Sequence, residues 1–337
     1  MRIALDAMGG DHAPGITVAG AVRAAQELRH EIVLVGRQPE IERELVHIKP
    51  VPKNLSIHHA EEVIAMDESP ASSVRRKKGA SINVAIQLLK DRSVSAAISA
   101  GNTGAMVAAA TLGLGLLPGI ERPGIGIVLP GLKGETFVID MGANIEPKPI
   151  HLLQYALMGD AYATHLLGRA HPKVGLLNVG EEETKGTEFV KETHKLLVES
   201  PVNFVGNVEG HDLFTGDMDV IVCDGFVGNV ALKASESLAH AIGHALKRAL
   251  AQSWITRLGA WLSRDAFIAL RKEIDYSEYG GAPLLGVDGV CIISHGASTP
   301  KAIKNALRVA VDFVERDVNR HILDATAAWQ RQRGSAA

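Results

Sequence analysis

Short apolar runs recur along this chain, separated by longer stretches whose apolar residues fall at helical spacing. The runs predict strands at 2–6, 31–35, 54–58, 94–99, 124–129, 135–140, 173–178, 203–206, 219–223 and 290–294. The intervening stretches predict helices at 16–29, 39–46, 79–90, 104–116, 150–168, 187–199, 228–250, 253–273 and 299–320. Such alternation argues for an α/β fold, a mostly parallel sheet with helices on both faces. Runs as apolar as Val220-Ile-Val-Cys223 suit strands covered on both sides. There is no fixed-period repeat and no long Pro- or Ser-rich linker. Residues 1–330 are therefore expected to form one domain, with any two lobes intertwined, and 331–337 a flexible tail that frays after about Trp329.

Four of the runs end alike, in a short loop of Gly, Asn, Ser, Thr or Asp that feeds a helix. They are Ala96-Ala-Ile-Ser-Ala-Gly-Asn-Thr-Gly-Ala105, Val174-Gly-Leu-Leu-Asn-Val-Gly-Glu181, Val220-Ile-Val-Cys-Asp-Gly-Phe-Val-Gly-Asn229 and Val290-Cys-Ile-Ile-Ser-His-Gly-Ala-Ser298. Loops of this kind aim backbone N–H groups and a helix dipole at one spot beyond the sheet. If they converge, they make a site for an anion, phosphate above all.

The length of 337 residues and the abundance of apolar residues promise a sizeable core. A net charge of −3 carries no nucleic-acid signature, and no nucleic-acid partner is expected. Cys223 and Cys291 lie in apolar runs and read as buried thiols in a reducing compartment. From Ser93 to Ile120 no residue is charged, but Ser99, Gly101, Asn102, Thr103 and Gly104 interrupt the stretch. Lipid would leave those backbone groups unsatisfied, so no membrane span is expected. Asp11 and His12 lack partner ligands in sequence, and no metal or cofactor is assigned.

Within Ser99–Gly104, the glycines allow close approach of a ligand, while Asn102 and Thr103 either cap the next helix or donate to an anion. Asn144, after Asp140-Met-Gly-Ala, sits at another strand tip before Pro147 and Pro149. Lys185 is a cation among Glu181, Glu182 and Glu183, placed to neutralise a phosphate or an oxyanion. Asp224 and Asn229 read either as a turn and a cap or as groups that hold a proton and donate to a carbonyl, with Lys233 a turn later. His295 has no adjacent carboxylate to make a triad, and no Gly-x-Ser-x-Gly elbow occurs. Gly124-Ile-Gly126 lacks the third glycine of a dinucleotide fingerprint.

Two charged stretches bear on partners. Arg75-Arg-Lys-Lys78 is either a solvated face or a dock for an acidic protein or a phosphate. In 246–273, Leu246, Leu250, Trp254, Ile255, Leu258, Trp261, Leu262 and Phe267 interleave with Lys247, Arg248, Arg257, Arg264, Arg271 and Lys272. That composition fits a dimer interface, or a helix lying on anionic lipid.

Together the motifs resemble one family. Asp6-Ala-Met-Gly-Gly-Asp-His-Ala-Pro14, Ser99–Ala105, Asp140–Asn144, Asn178–Glu183 with Lys185-Gly186, Gly206-Asn-Val-Glu-Gly210, Asp224–Asn229 and Tyr279-Gly-Gly-Ala-Pro-Leu-Leu-Gly286 look like the signature blocks of the PlsX family of bacterial phosphate acyltransferases. The resemblance implies a Rossmann-like α/β/α fold, akin to isocitrate and isopropylmalate dehydrogenases and to phosphate acetyltransferases. It implies transfer of an acyl group from acyl carrier protein to inorganic phosphate, giving acyl phosphate for phospholipid synthesis. It also implies a cytoplasmic homodimer in peripheral contact with membrane, possessing no cofactor. On that reading Lys185, Asp224 and Asn229 are catalytic. Ser99, Gly101, Asn102, Thr103, Gly104, Asn144, Lys233 and His295 bind the phosphate or the thioester. The rivals are a phosphate acetyltransferase-like enzyme using acyl-CoA, an NAD-dependent hydroxyacid dehydrogenase-like protein, and a membrane-bound scaffold.

Overall fold

A computed structural model describes residues 1–268 and 280–336. Arg271, Lys272, Tyr279, Ala337 and the end of the helix expected up to 273 lie outside the described residues. In chain order the elements are β1 (Arg2–Asp6), α1 (Gly15–Glu27), β2 (Glu31–Gly36), α2 (Gln38–Val46), β3 (Leu55–His59), α3 (Pro70–Arg76), α4 (Ser81–Lys90), β4 (Ala96–Ser99) and α5 (Thr103–Gly113). There follow β5 (Gly124–Pro130), β6 (Glu135–Ile139), α6 (Pro149–His165), β7 (Val174–Leu177), α7 (Glu188–Val198), β8 (Phe204–Val208), β9 (Val220–Val222) and α8 (Gly225–Leu250). The last are α9 (Trp254–Leu262), β10 (Ala282–Leu285), β11 (Cys291–Ile293), α10 (Pro300–Glu315) and α11 (Val318–Ala336).

The strands form one eleven-stranded sheet in the order β3-β2-β1-β4-β11-β10-β5-β6-β9-β7-β8. Pairing is parallel from β3 to β11 and again from β6 to β8. Between these halves, β10 and β5 make three antiparallel joints. Three reversals leave the two parallel halves running in opposite directions. The loops after β4 and β11 thus leave their half in one direction, and those after β7 and β9 leave theirs in the other. The four loops therefore do not gather along a single sheet edge; they leave it as two pairs in opposite directions. β10 is the hinge of this arrangement: Ala282 and Pro283 pair with β11, while Leu284 and Leu285 pair with β5.

Burial explains the alternation of elements. Ile3, Leu5, Ile32, Leu34, Ile98, Phe137, Ile139, Val220 and Val222 are wholly buried on one side of the sheet. Ala4, Val33, Ala97, Val138 and Ile221 are buried on the other, so both faces are covered as expected of parallel strands. The differences from expectation have local causes. β10 carries Pro283 and follows two glycines, which reads as a rigid wall rather than a strand. α3 buries only Ser73 and Val74, too little to leave a period in the sequence. The helix expected at 299–320 breaks at Asp317, whose φ is 47°. α11 continues through the expected frayed segment to Ala336. Among the described residues no helix is long and apolar enough to cross a membrane.

Candidate active site

On the first half of the sheet, Asp6 ends β1 and Ser99 ends the neighbouring β4. Ser99 Oγ donates to Asp6 Oδ2 at 2.7 Å and accepts from Gly101 N at 3.0 Å. Both side chains are almost wholly buried, and burial raises the Asp6 carboxyl above the usual range. A Cβ on Gly9 would lie 2.6 Å from Gly101 N and 2.9 Å from Asp6 Oδ2, so only glycine lets these two turns nest. Asn102 is the N-cap of α5: its Oδ1 accepts from Ala105 N at 3.0 Å. Its Nδ2 donates to Met66 O at 2.9 Å and Glu68 O at 3.2 Å. Of the expected phosphate ligands, Ser99, Gly101 and Asn102 therefore spend these groups on holding the loop together. The N–H groups of Thr103 and Gly104, in the first turn of α5, make no hydrogen bond among the described residues and remain available to an anion.

On the second half, the tip of β6 is built around Asp140. Its Oδ1 accepts from Ile125 N, Gly142 N and Ala143 N, and its Oδ2 from Asn144 N. Burial nonetheless raises its carboxyl above the usual range. Asn144 turns inward too, donating Nδ2 to Tyr155 Oη at 2.7 Å and to Pro123 O at 2.5 Å. Its carbonyl accepts from Gly225 N at 2.8 Å, which pins the start of α8 against this tip. Asp224 caps α8 through Oδ1 and Val227 N at 2.9 Å. A Cβ on Gly142, whose φ is 133°, would lie 3.5 Å from Asn229 Cβ, so Asn229 sits over the 140–144 turn and is exposed there.

Lys185 lies in the loop after β7. Asn178 Nδ2 donates to Lys185 O at 3.2 Å, and Asn207 Nδ2 on β8 donates to Glu182 O at 3.1 Å. These bonds fix the backbone while the Lys185 side chain stays exposed, with no ion pair among the described residues. No hydrogen bond or ion pair joins it to Asp224 or Asn229 among those residues. Lys233 and His295, from opposite halves, do meet: Lys233 Nζ lies 3.3 Å from His295 Nε2. The first turns of α8 thus reach from the tip of β9 to the tip of β11.

Asp6, Asn207 and Ser294 were not singled out in the sequence. Asn207 Oδ1 and Ser294 Oγ are buried and lack hydrogen-bond partners among the described residues. Asn207 stands in the Gly206–Gly210 block and Asp6 at the head of the first block, so the motifs marked their positions without their roles.

A family model described as "Fatty acid synthesis protein" matches residues 1–321. A phosphate acyltransferase of Heliobacterium modesticaldum is 54% identical over 318 residues, covering 94% of this chain and 95% of its relative. The chain belongs to the phosphate acyltransferase family. The fold agrees. A phosphotransacetylase from Streptococcus pyogenes superposes with a TM-score of 0.63 at 16% identity, covering 94% of each chain. A putative 4-hydroxythreonine-4-phosphate dehydrogenase from Salmonella typhimurium gives 0.52 at 12%, over 92% of this chain and 98% of that one. This phosphate acyltransferase scaffold is therefore the Rossmann-like α/β/α architecture shared by transacylases and dehydrogenases.

Proposed function

We propose that the enzyme transfers a fatty acyl group from the thioester of acyl carrier protein to inorganic phosphate, releasing the carrier and an acyl phosphate for phospholipid synthesis. The observation that supports this reading is that the thiols and Ser99 are buried, while the Thr103 and Gly104 N–H groups make no hydrogen bond among the described residues and are open to an anion. Ser99 is 1% exposed, and Cys223 and Cys291 are 2% and 1% exposed. Burial pushes both thiols up, Cys291 to about 12, so neither offers a thiolate. Phosphate needs no such help, because it is a nucleophile itself. One of its oxygens bonds to the thioester carbon, the carbon–sulfur bond breaks, and the carrier's sulfur leaves with the electron pair and takes up a proton. The protein supplies proximity and charge stabilisation.

In this reading the Thr103 and Gly104 N–H groups serve the phosphate end, on a loop shaped by Ser99, Gly101 and Asn102. Lys185 and Asn229 stabilise the tetrahedral oxyanion, a donor being worth about 3 kcal/mol. Asp224 orients Lys185 or handles the proton. Asn144 contributes by seating α8.

We assign the projecting helices to assembly and membrane. Residues 237–249 of α8 are all exposed, and Leu238, Ile242 and Leu246 recur at helical spacing along them. No residue of α9 is buried, and Trp254 and Trp261 are 74% and 69% exposed. The stripe suits a second copy of the chain, and the tryptophans with Lys247, Arg248, Arg257 and Arg264 suit an anionic bilayer.

A donor comparison tests the reaction. Purified enzyme with phosphate is offered long-chain acyl-carrier protein or acetyl-CoA. Acyl phosphate from the carrier protein, with little from acetyl-CoA, is expected. The reverse preference would make it a phosphate acetyltransferase-like enzyme.

A further inference from the structure

At the ends of β7 and β8 opposite the Lys185 loop lies a cavity of about 390 Å³, lined by Asp160, Thr164, His171 and Asn203, with Pro172 and Val202 among its apolar walls. Its size falls within the range of roughly 300–1,000 Å³ of small-molecule sites. Asp160 and Thr164 are four residues apart near the end of α6, so both side chains lie on one face of that helix. The Asp160 carboxylate is half-buried and makes no hydrogen bond or ion pair among the described residues. Burial raises its carboxyl above the usual range, with only His171 acting the other way. Thr164 stands in the last turn of α6, where the helix dipole favours a cation, and its hydroxyl is also unpaired among the described residues. Asn203 Nδ2 is spent on His171 O at 3.2 Å, which leaves Asn203 Oδ1 as a further acceptor. Shielding a carboxylate from water without a cation beside it costs free energy, and a bound cation would recover it.

We propose that this cavity is a second ligand site, for a small primary amine bound as its ammonium ion. The Asp160 carboxylate, Thr164 Oγ1 and Asn203 Oδ1 line one space and offer acceptors to the three N–H donors of an ammonium. The bond to Asp160 is charge-assisted. Pro172 and Val202 give a short alkyl chain an apolar surface to cover. Asp160 repels a carboxylate or phosphate ligand. A quaternary ammonium carries the charge but has no N–H for the three acceptors. The site is separate from the acyl-transfer loops, because the parallel strands β7 and β8 carry the Lys185 loop at one end and the cavity at the other. It therefore stands whether or not the acyl-transfer reading does.

The test is a titration of the full-length enzyme with n-butylammonium chloride, followed by NMR at the Asp160 carboxyl carbon and the Thr164 methyl. Two probes serve as controls: n-butanol has the same chain without the charge, and tetramethylammonium has the charge without N–H donors. Both resonances are expected to shift saturably with n-butylammonium, and to respond at least about tenfold more weakly to either control. Asp160→Asn is nearly isosteric and should fold; it is expected to weaken n-butylammonium binding at least about tenfold, read at the Thr164 methyl. Ala170→Trp fills the cavity from its exposed rim and leaves Asp160 in place, and should abolish the shift at both resonances. Wild-type affinity in either variant, equal responses to all three probes, or no saturable shift in the wild type overturns the proposal.

Discussion

Asn144 joins three segments through one side chain and one carbonyl: Pro123 before β5, Tyr155 on α6, and Gly225 at the head of α8. Asn144→Ala leaves the buried Tyr155 hydroxyl and the Pro123 carbonyl only their mutual bond of 3.4 Å, and should lower the unfolding free energy by about 1–2 kcal/mol in urea titrations. If Asn144 served only as a substrate ligand, stability would stay put and only KM would move. Glu68 plays a similar part across the cleft. It accepts from Ala65 N, Ser73 Oγ and Lys77 Nζ, and these donors hold its carboxyl down at about 2. A carboxyl with a depressed folded pKa stabilises the fold above its unfolded value near 4.5, and that contribution fades as pH falls from there through about 2. The Glu68 Cδ resonance should therefore titrate near 2 by carbon NMR; a midpoint near 4.5 would mean that the clasp on the 65–68 loop, where Asn102 donates, does not form in solution. Both residues are ordinary polar letters in the sequence. A strand tip leaves Asn144 open to either a structural or a substrate-binding reading, because it does not show the carbonyl that lies behind it.

At the scale of elements, α8 does most to assemble the site. Gly228, in its first turn, lies against the Asp140 carbonyl and 3.0 Å from Cys223 Sγ as measured from a Cβ built there. Gly228→Ala should displace that turn and with it Asn229 and Lys233, cutting acyl transfer at least about a hundredfold while circular dichroism changes little; a fully active variant would show that the turn has room to give. The strands and helices flanking the site were largely legible because two-sided burial leaves continuous apolar runs and amphipathic stretches. β10 was not, since a proline and two glycines hide a four-residue strand, and one of its two partners, β5, lies far off in sequence. That omission mattered: without β10 the reversal between the halves is invisible, and the four loops seem to share one edge. For α9, Trp254→Glu with Trp261→Glu should abolish sedimentation with anionic vesicles; unchanged sedimentation would assign the tryptophans to a protein interface.

For the whole molecule, two parallel half-sheets run in opposite directions, and one helix reaches from the second half to the first at Lys233 and His295. Family and fold follow from the chain's motifs and architecture. The proposed chemistry rests on the loops at the ends of the two halves, where the thiols are buried, Lys185 is exposed and the Thr103 and Gly104 amides make no hydrogen bond among the described residues. Such a site suits a substrate that brings its own nucleophile. The most direct measurement follows the oxygens. Enzyme, long-chain acyl-carrier protein and phosphate carrying heavy oxygen at all four positions are mixed, and the product is examined by phosphorus NMR and mass spectrometry. Direct attack by phosphate predicts an acyl phosphate that retains all four labelled oxygens, one of them bridging carbon and phosphorus. Release of free fatty acid with no acyl phosphate would contradict it.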